Sequence, residues 1–189
     1  MSPATHLLAS WMVANLATNR RDRILITAAG LAPDLDGLGI VPELLTRGSA
    51  HPLPWFTEYH HVLGHNLGFA IAVTITVLVI GNQRRTAAAL AFAAFQLHLF
   101  CDLIGARGPE GYQWPIPFLS PFSDKMQLVW SGQWELNAWP NFAITFLLLF
   151  ATVVLAVKRG YSPVELVSSK ADKSVVTALR QRFLGRDTS

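Results

Sequence analysis

The chain has 189 residues, of which 51% are apolar and only 14% charged, against about 25% charged in an average soluble domain. That length suits one domain with a sizeable core and is too short for two ordinary ones. The composition excludes a disordered chain, while a mean hydropathy of +0.34 and six Trp point to lipid. The single cysteine, Cys101, excludes an intramolecular disulfide framework and any Cys-rich zinc finger.

Periodicity and breakers divide the chain into five apolar segments. The first, residues 4–18, is opened by Ser2-Pro3, and the second, residues 24–31, is stopped by Pro33. The third, Leu67–Ile80, has almost no polar residue and ends at Gly81-Asn82. The fourth, residues 86–104, is rich in Ala and Phe; the fifth, residues 142–157, follows Pro140 and ends at Lys158-Arg159-Gly160. No basic stretch precedes the first segment, so no cleavable signal peptide is expected. At 1.5 Å per residue the segments are roughly 12–29 Å long, and a bilayer core calls for about 20 apolar residues. The third, fourth and fifth are expected to span, with the first two re-entrant or buried against them. The expected fold class is all-α, a membrane-embedded bundle of about five apolar helices. A soluble all-α core is the alternative, disfavoured because Leu67–Ile80 and residues 142–157 leave no polar face for water.

Residues 105–140 form a Trp-rich insert carrying Trp114, Trp130, Trp134 and Trp139, a composition suited to the headgroup zone. Within it, Gln127-Leu128-Val129-Trp130, then Ser131-Gly132, then Gln133-Trp134-Glu135-Leu136 reads as a hairpin. After Gly160, Ser162-Pro163-Val164-Glu165 has the N-cap, the proline and the acidic residue of a helix start. Val164, Val167, Ala171, Val175, Leu179 and Phe183 then make an apolar stripe among basic residues. The domain expected is 1–160, followed by a basic amphipathic or mobile tail, 161–189, lying on a membrane surface if ordered.

Charge is distributed unevenly. If the segments run up and down, the turns holding Arg20, Arg21 and Arg23, Arg84 and Arg85, and Lys158 with Arg159 share one end with the tail. That end carries 12 of the 15 basic residues against four acids, a balance of +8. The opposite end has Arg47, Arg107 and Lys125 against eight acids, a balance of −5. The positive-inside rule makes the basic end, and the C-terminus with it, cytoplasmic, so the acidic end faces the periplasmic side of a cell membrane.

Four separate stretches deliver metal-ligating side chains to that acidic end. His98 and Asp102 are an i, i+4 pair on one helix face, and an aspartate in an apolar segment calls for a partner or a function. Asp34 and Asp36, two apart in Pro33-Asp34-Leu35-Asp36-Gly37, share a side of an extended segment and repel unless a cation or proton lies between them. His60-His61-Val62-Leu63-Gly64-His65-Asn66 holds three imidazoles; spacing leaves open whether His60, from a loop, or His61, at i, i+4 from His65, is the ligand. His6 opens the first segment. His51 reads as a loop residue and Cys101 as core. Imidazole and carboxylate without thiolate favour Zn²⁺ over Mn²⁺ or Fe²⁺. Up to four His and three Asp exceed one tetrahedral shell, so two ions are expected, with Asp34 or Asp36 as the bridging and catalytic carboxylate. Water acidified by such a cation attacks phosphorus or a carbonyl carbon. A Ser–His–Asp order, a P-loop, a dinucleotide fingerprint and a nucleic-acid module are all missing from the sequence.

At these residues the chain resembles the bacterial membrane-bound metal-dependent hydrolases of the YdjM-like inner-membrane family, related in pattern to the zinc-dependent phospholipase C class. The resemblance rests on His6 in Ser2-Pro3-Ala4-Thr5-His6, on Pro33-Asp34-Leu35-Asp36, and on His60-His61-Val62-Leu63-Gly64-His65-Asn66 where the family has His-Arg-Gly-x-Thr-His-Ser. His98-x-x-x-Asp102 and Pro121-Phe122-Ser123 complete it, so that it covers roughly residues 2–123. It implies hydrolase activity, membrane residence and the ligand set His6, Asp34, Asp36, His60, His65, His98 and Asp102, with His61 standing where the family has Arg. Val62, Gly64 and Asn66 also depart from the pattern. The function expected is metal-dependent hydrolysis of an ester or phosphoester, lipid or small molecule, at the bilayer surface. The alternatives are a metal or proton transporter and a membrane protein whose metal is structural.

Overall fold

The computed structural model describes residues 1–108 and 113–185; residues 109–112 of the insert and 186–189 of the tail lie outside it, Arg186 and Asp187 among them. The described residues form eight α-helices and almost no sheet: α1 (Pro3–Ala14), α2 (Arg20–Leu31), α3 (Ile40–Thr46), α4 (Trp55–Tyr59), α5 (Leu67–Ile80), α6 (Arg84–Gly105), α7 (Trp139–Arg159) and α8 (Ser169–Phe183). The all-α expectation holds.

Local chemistry sets the helix ends. Ser2, Asn19 and Asn66 cap α1, α2 and α5 with side-chain oxygens that accept from the backbone N–H of Thr5, Asp22 and Phe69. α7 stops where Gly160 takes φ of 81°, a left-handed cap that costs glycine little.

α6 is the hub, packed against α1, α2 and α5. One flank carries Ala87, Ala91 and Ala94, all 1% exposed or less, which pack with Ala14, Ile26, Ala29 and Val77. Small side chains let the backbones come close, which is how helices associate where apolar solvent removes the hydrophobic drive. Gly30 extends the same crossing: a Cβ there would lie 2.0 Å from Ser10 Oγ and 3.2 Å from the Ala94 Cβ. Nearer the end of α6, Phe95 and Leu99 pack with Ala70 and Ile116.

Length and composition make α6 and α7 candidate membrane spans. A third exists if α2 and Pro33–Thr46, bent by 53°, count as one. This corrects the expectation for Leu67–Ile80. At 14 residues α5 is about 21 Å long, short of a hydrocarbon core of about 30 Å. α7 leaves Phe142, Phe146, Leu147 and Phe150 more than 60% exposed, a face fit for lipid.

The basic turns do gather at one end, where buried polar pairs tie them down. Asp22 accepts the backbone N–H of Asn82 (2.8 Å) and Gln83 (2.9 Å), holding the α5–α6 turn. Arg23 forks onto Glu165 at 2.6 and 2.7 Å and lies over the Tyr161 ring. That pairing alters the expected helix start. Glu165 is drawn to Arg23 rather than back to its own N-cap, so Pro163–Leu166 forms only a 3-10 turn, and α8 begins at Ser169 under a Ser168 cap. α8 packs on this turn and on α7, with Asp172 accepting from Ser162 Oγ and N.

The expected hairpin in the insert is not formed. A turn closes at Ser131-Gly132, where Gln133 N donates to Trp130 O, but no ladder follows. Gln127–Leu128 pairs instead with Ile116–Pro117, placing Ile116 and Leu128 against Phe95. The following residues serve α6, whose last carbonyls need donors. Gln133 Nε2 donates to Asp102 O (2.8 Å) and Asn141 Nδ2 to Gly105 O (2.8 Å), while Trp134 N donates to Ile104 O (3.1 Å).

Candidate metal centre

The end opposite the basic turns is built from the start of α1, the exit of α2, the loop before α5 and the last turns of α6. Buried there are His6, His61, His65, His98 and Asp102. Among the described residues, two groups have ligand atoms close enough to share an ion: His6, Asp34, His98 and Asp102; and His61, His65 and Asp102. Asp102 belongs to both.

Hydrogen bonds fix the ring orientations. His98 Nδ1 lies 2.7 Å from the Gly30 carbonyl, which can only accept, so Nδ1 donates. His65 Nδ1 lies 3.1 Å from Asp36 Oδ2 and donates likewise. When neutral, each ring presents an unprotonated Nε2, and the two Nε2 atoms are 3.3 Å apart. Asp102 Oδ2 completes the triangle at 3.0 Å from His98 Nε2 and 3.4 Å from His65 Nε2. Three acceptors facing one another repel unless a proton or a metal ion lies among them.

The surroundings add to that demand. Asp102 sits in the last turn of α6, where the helix dipole disfavours a carboxylate, and its Oδ1 takes His6 Nε2 at 3.1 Å and the Met1 amino group. Asp34 Oδ1 is 3.5 Å from His98 Nε2. His6 is stacked on His98 at 3.7 Å between ring centroids. Buried and without hydrogen-bond partners are His6 Nδ1, His61 Nδ1, Asp34 Oδ2 and Asp102 Oδ2. A cluster of orphaned lone pairs on imidazole and carboxylate fits a divalent cation and fits nothing apolar.

His60 and His61 take different places. His60 Nδ1 bonds Asp36 Oδ1 at 2.8 Å, its ring lies against Phe56, and it joins neither group. His61 adopts φ of 69°, an uncommon conformation for a residue with a side chain, and stacks on His65 at 4.3 Å. Burial pushes its pKa down to about 3, so it is neutral. Burial pulls His65 the same way, but the carboxylates of Asp102 and Asp36 more than offset it and hold that pKa above the ordinary histidine value. Asp36 also stands outside both groups. Its oxygens are occupied by His60 Nδ1, His65 Nδ1 and Gly64 N (2.9 Å), and Gly64 reaches it only for lack of a Cβ, which would meet Pro33 O at 2.2 Å.

Over the cluster lies a cavity of about 370 Å³ whose lining includes Asp34, Leu38, Phe56, His61, Asp102 and Trp114. Trp114 stands edge-on to His60 (5.2 Å) and His61 (4.9 Å) and is the one indole of the insert to reach the site. His51 is exposed and Cys101 buried. Sequence reasoning missed the Gly30 carbonyl and the shared position of Asp102; the His98–Asp102 spacing was the signal for the latter.

No curated protein and no solved structure matches the chain. The family model described as YdjM inner membrane protein matches residues 1–172, well beyond the 2–123 that the motifs cover. The chain therefore belongs to the YdjM inner membrane protein family.

Proposed function

We propose that the chain is a membrane-bound hydrolase with one or two divalent cations, zinc first and manganese or iron after it, acting on a phosphoester or ester presented at the bilayer surface. The observation that carries the reading is the pair of His/Asp groups joined through Asp102 beneath a largely apolar cavity. His6, Asp34 and His98 would hold one cation, His61 and His65 the other, and Asp102 both. When bound, the cation supplies Lewis acidity and makes hydroxide available near neutral pH. Asp36 and the Gly30 carbonyl orient His65 and His98, so that their Nε2 lone pairs converge. Asp34, whose Oδ2 has no partner and which lines the cavity, accepts a proton or bonds the substrate. Phe56, Leu38 and Trp114 exclude water and favour an apolar substrate portion. With the arginine-rich turns cytoplasmic, the cavity opens on the periplasmic side.

Hydrolysis is favoured over ion transport because the groups gather at one end, and beneath them α1, α2, α5 and α6 close on the apolar plug of Ala29, Ala91, Ala94 and Val77. The test is release of phosphate, headgroup or alcohol by metal-loaded, detergent-purified protein. Activity is expected to vanish with chelator and in Asp102→Ala. Metal-loaded protein inert towards broad ester and phosphoester panels would overturn the reading.

A further inference from the structure

A second cavity, of about 590 Å³, adjoins the one over the metal groups, and the two share Ala106, Trp114 and Leu136 as common wall. Its lining differs in character: Arg107, Glu135 and Asn137 supply polarity, while Phe142, in the first turn of α7, supplies an apolar side that is 66% exposed. Arg107 is one of only three basic residues assigned to this end of the chain.

Arg107 is held by its backbone and carries one long ion pair, to Glu135. Its backbone is fixed on both sides, N–H to Trp134 O (3.1 Å) and C=O from Leu136 N (3.0 Å), so the side chain springs from a rigid strand-like bridge opposite Glu135. Nε is buried and has no hydrogen-bond partner among the described residues. The nearest carboxylate oxygen, Glu135 Oε1, is 3.9 Å from Nη2, too far for a hydrogen bond. A guanidinium fork with a buried, unused donor is suited to a bidentate oxyanion.

We infer that this outer cavity is a binding subsite for an anionic amphiphile, a phosphate head held by Arg107 with its chain along Phe142 and the outer face of α7. The inference rests on the hydrolase reading only in taking that amphiphile as substrate; the anion site itself does not need the metals. It selects acidic lipid-like phosphoesters over neutral esters.

The test is binding of dodecyl phosphate, with neutral dodecyl glucoside as the control of equal chain length, to chelator-treated full-length protein in excess nonionic detergent, followed by Trp fluorescence. The wild type is expected to prefer the phosphate by about ten- to hundredfold, the range for a hydrogen bond to a charged group. Arg107→Gln should lose that preference while binding dodecyl glucoside unchanged, Arg107→Lys should keep part of it, and Glu135→Gln should strengthen it. Equal affinity of the wild type for both probes, or an undiminished preference in Arg107→Gln, overturns the inference. Phosphate preference in a protein that hydrolyses nothing would leave the subsite and remove the hydrolase reading; hydrolysis without preference would do the reverse.

Discussion

Asp36→Asn separates a residue that orients a ligand from one that is a ligand. Asp36 accepts three hydrogen bonds, from His60 Nδ1 at 2.8 Å, Gly64 N at 2.9 Å and His65 Nδ1 at 3.1 Å. An asparagine whose amide oxygen takes the Oδ2 position keeps the Gly64 and His65 bonds as neutral ones and sets its NH₂ against His60. What is lost is the charge assisting the His65 bond, together with the basicity it lends Nε2. Removing partners of this kind typically costs ten- to hundredfold in metal affinity, about 1.4–2.7 kcal/mol. Asp102→Asn is another matter. It takes a carboxylate from both groups at once, leaving Asp34 in the first and none in the second, with the Nε2 atoms of His65 and His98 still facing each other at 3.3 Å, so its loss should exceed that hundredfold ceiling.

The assay is zinc competition with a chromophoric chelator in detergent, alongside elemental analysis of protein dialysed at equal free zinc. Asp36→Asn is expected to keep wild-type stoichiometry at saturating zinc with weaker affinity, whereas Asp102→Asn should fall in stoichiometry. Should Asp36→Asn lose a full equivalent of metal as Asp102→Asn does, Asp36 coordinates directly and the division drawn between ligand and support is wrong. If Asp36→Asn binds as the wild type does, the hydrogen bond to His65 contributes nothing.

The remaining predictions concern the frame that carries the site. Glu165→Ala leaves the buried Arg23 guanidinium, 7% exposed, without its fork, and should cost about 3–5 kcal/mol in thermal unfolding in detergent, with metal content unchanged. Phe95→Ala empties a position that is 0% exposed and should cost about 3–5 kcal/mol by the same measurement. Gly30→Ala drives a Cβ into Ser10, for which overpacking typically costs about 1–3 kcal/mol. Because the Gly30 carbonyl holds His98, zinc affinity should fall with stability, and Ser10→Gly on the same chain should restore both.

How much of this the sequence disclosed follows from the range of the interactions. The helices and their caps are local, and Ser2 and Gly160 mark two of their ends in the sequence. The His98–Asp102 pair was legible because a helix turns i and i+4 to one face, and the clustering at one end follows from counting turns. The choice between His60 and His61, which spacing left open, was not legible, since the place of His61 beside His65 depends on a φ of 69° that no spacing encodes. Nor was the role of Gly30, whose backbone carbonyl has no side-chain signature. The hairpin expectation went astray for a similar reason: local turn chemistry did form the turn at Ser131-Gly132, but the carbonyls ending α6, distant in sequence, claimed the donors that a ladder would have used.

The two ends of the bundle handle buried charge in opposite ways. At the basic end each buried acid is answered within the chain: Asp22 by two backbone N–H groups, Glu165 by Arg23, Asp172 by Ser162. At the other end Asp102 and Asp34 each keep a buried oxygen without a hydrogen bond, and His6 and His61 a ring nitrogen. Both ends rest on the same α6 and the same small-residue crossing, so poor packing does not account for the difference. Unsatisfied buried polar groups each cost about 1–3 kcal/mol, and four of them in one place would weigh heavily on a chain of this size. Such a deficit is tolerable where a ligand settles it, and imidazole with carboxylate in this arrangement could hold a divalent cation. It follows that metal should stabilise the fold itself. Raising free zinc from zero to about 100 times its Kd should add about 2.7 kcal/mol to the unfolding free energy, an increment that Asp102→Asn should abolish. A thermal midpoint indifferent to zinc would mean that the lone pairs are satisfied by protons, and that the cluster is not a metal centre.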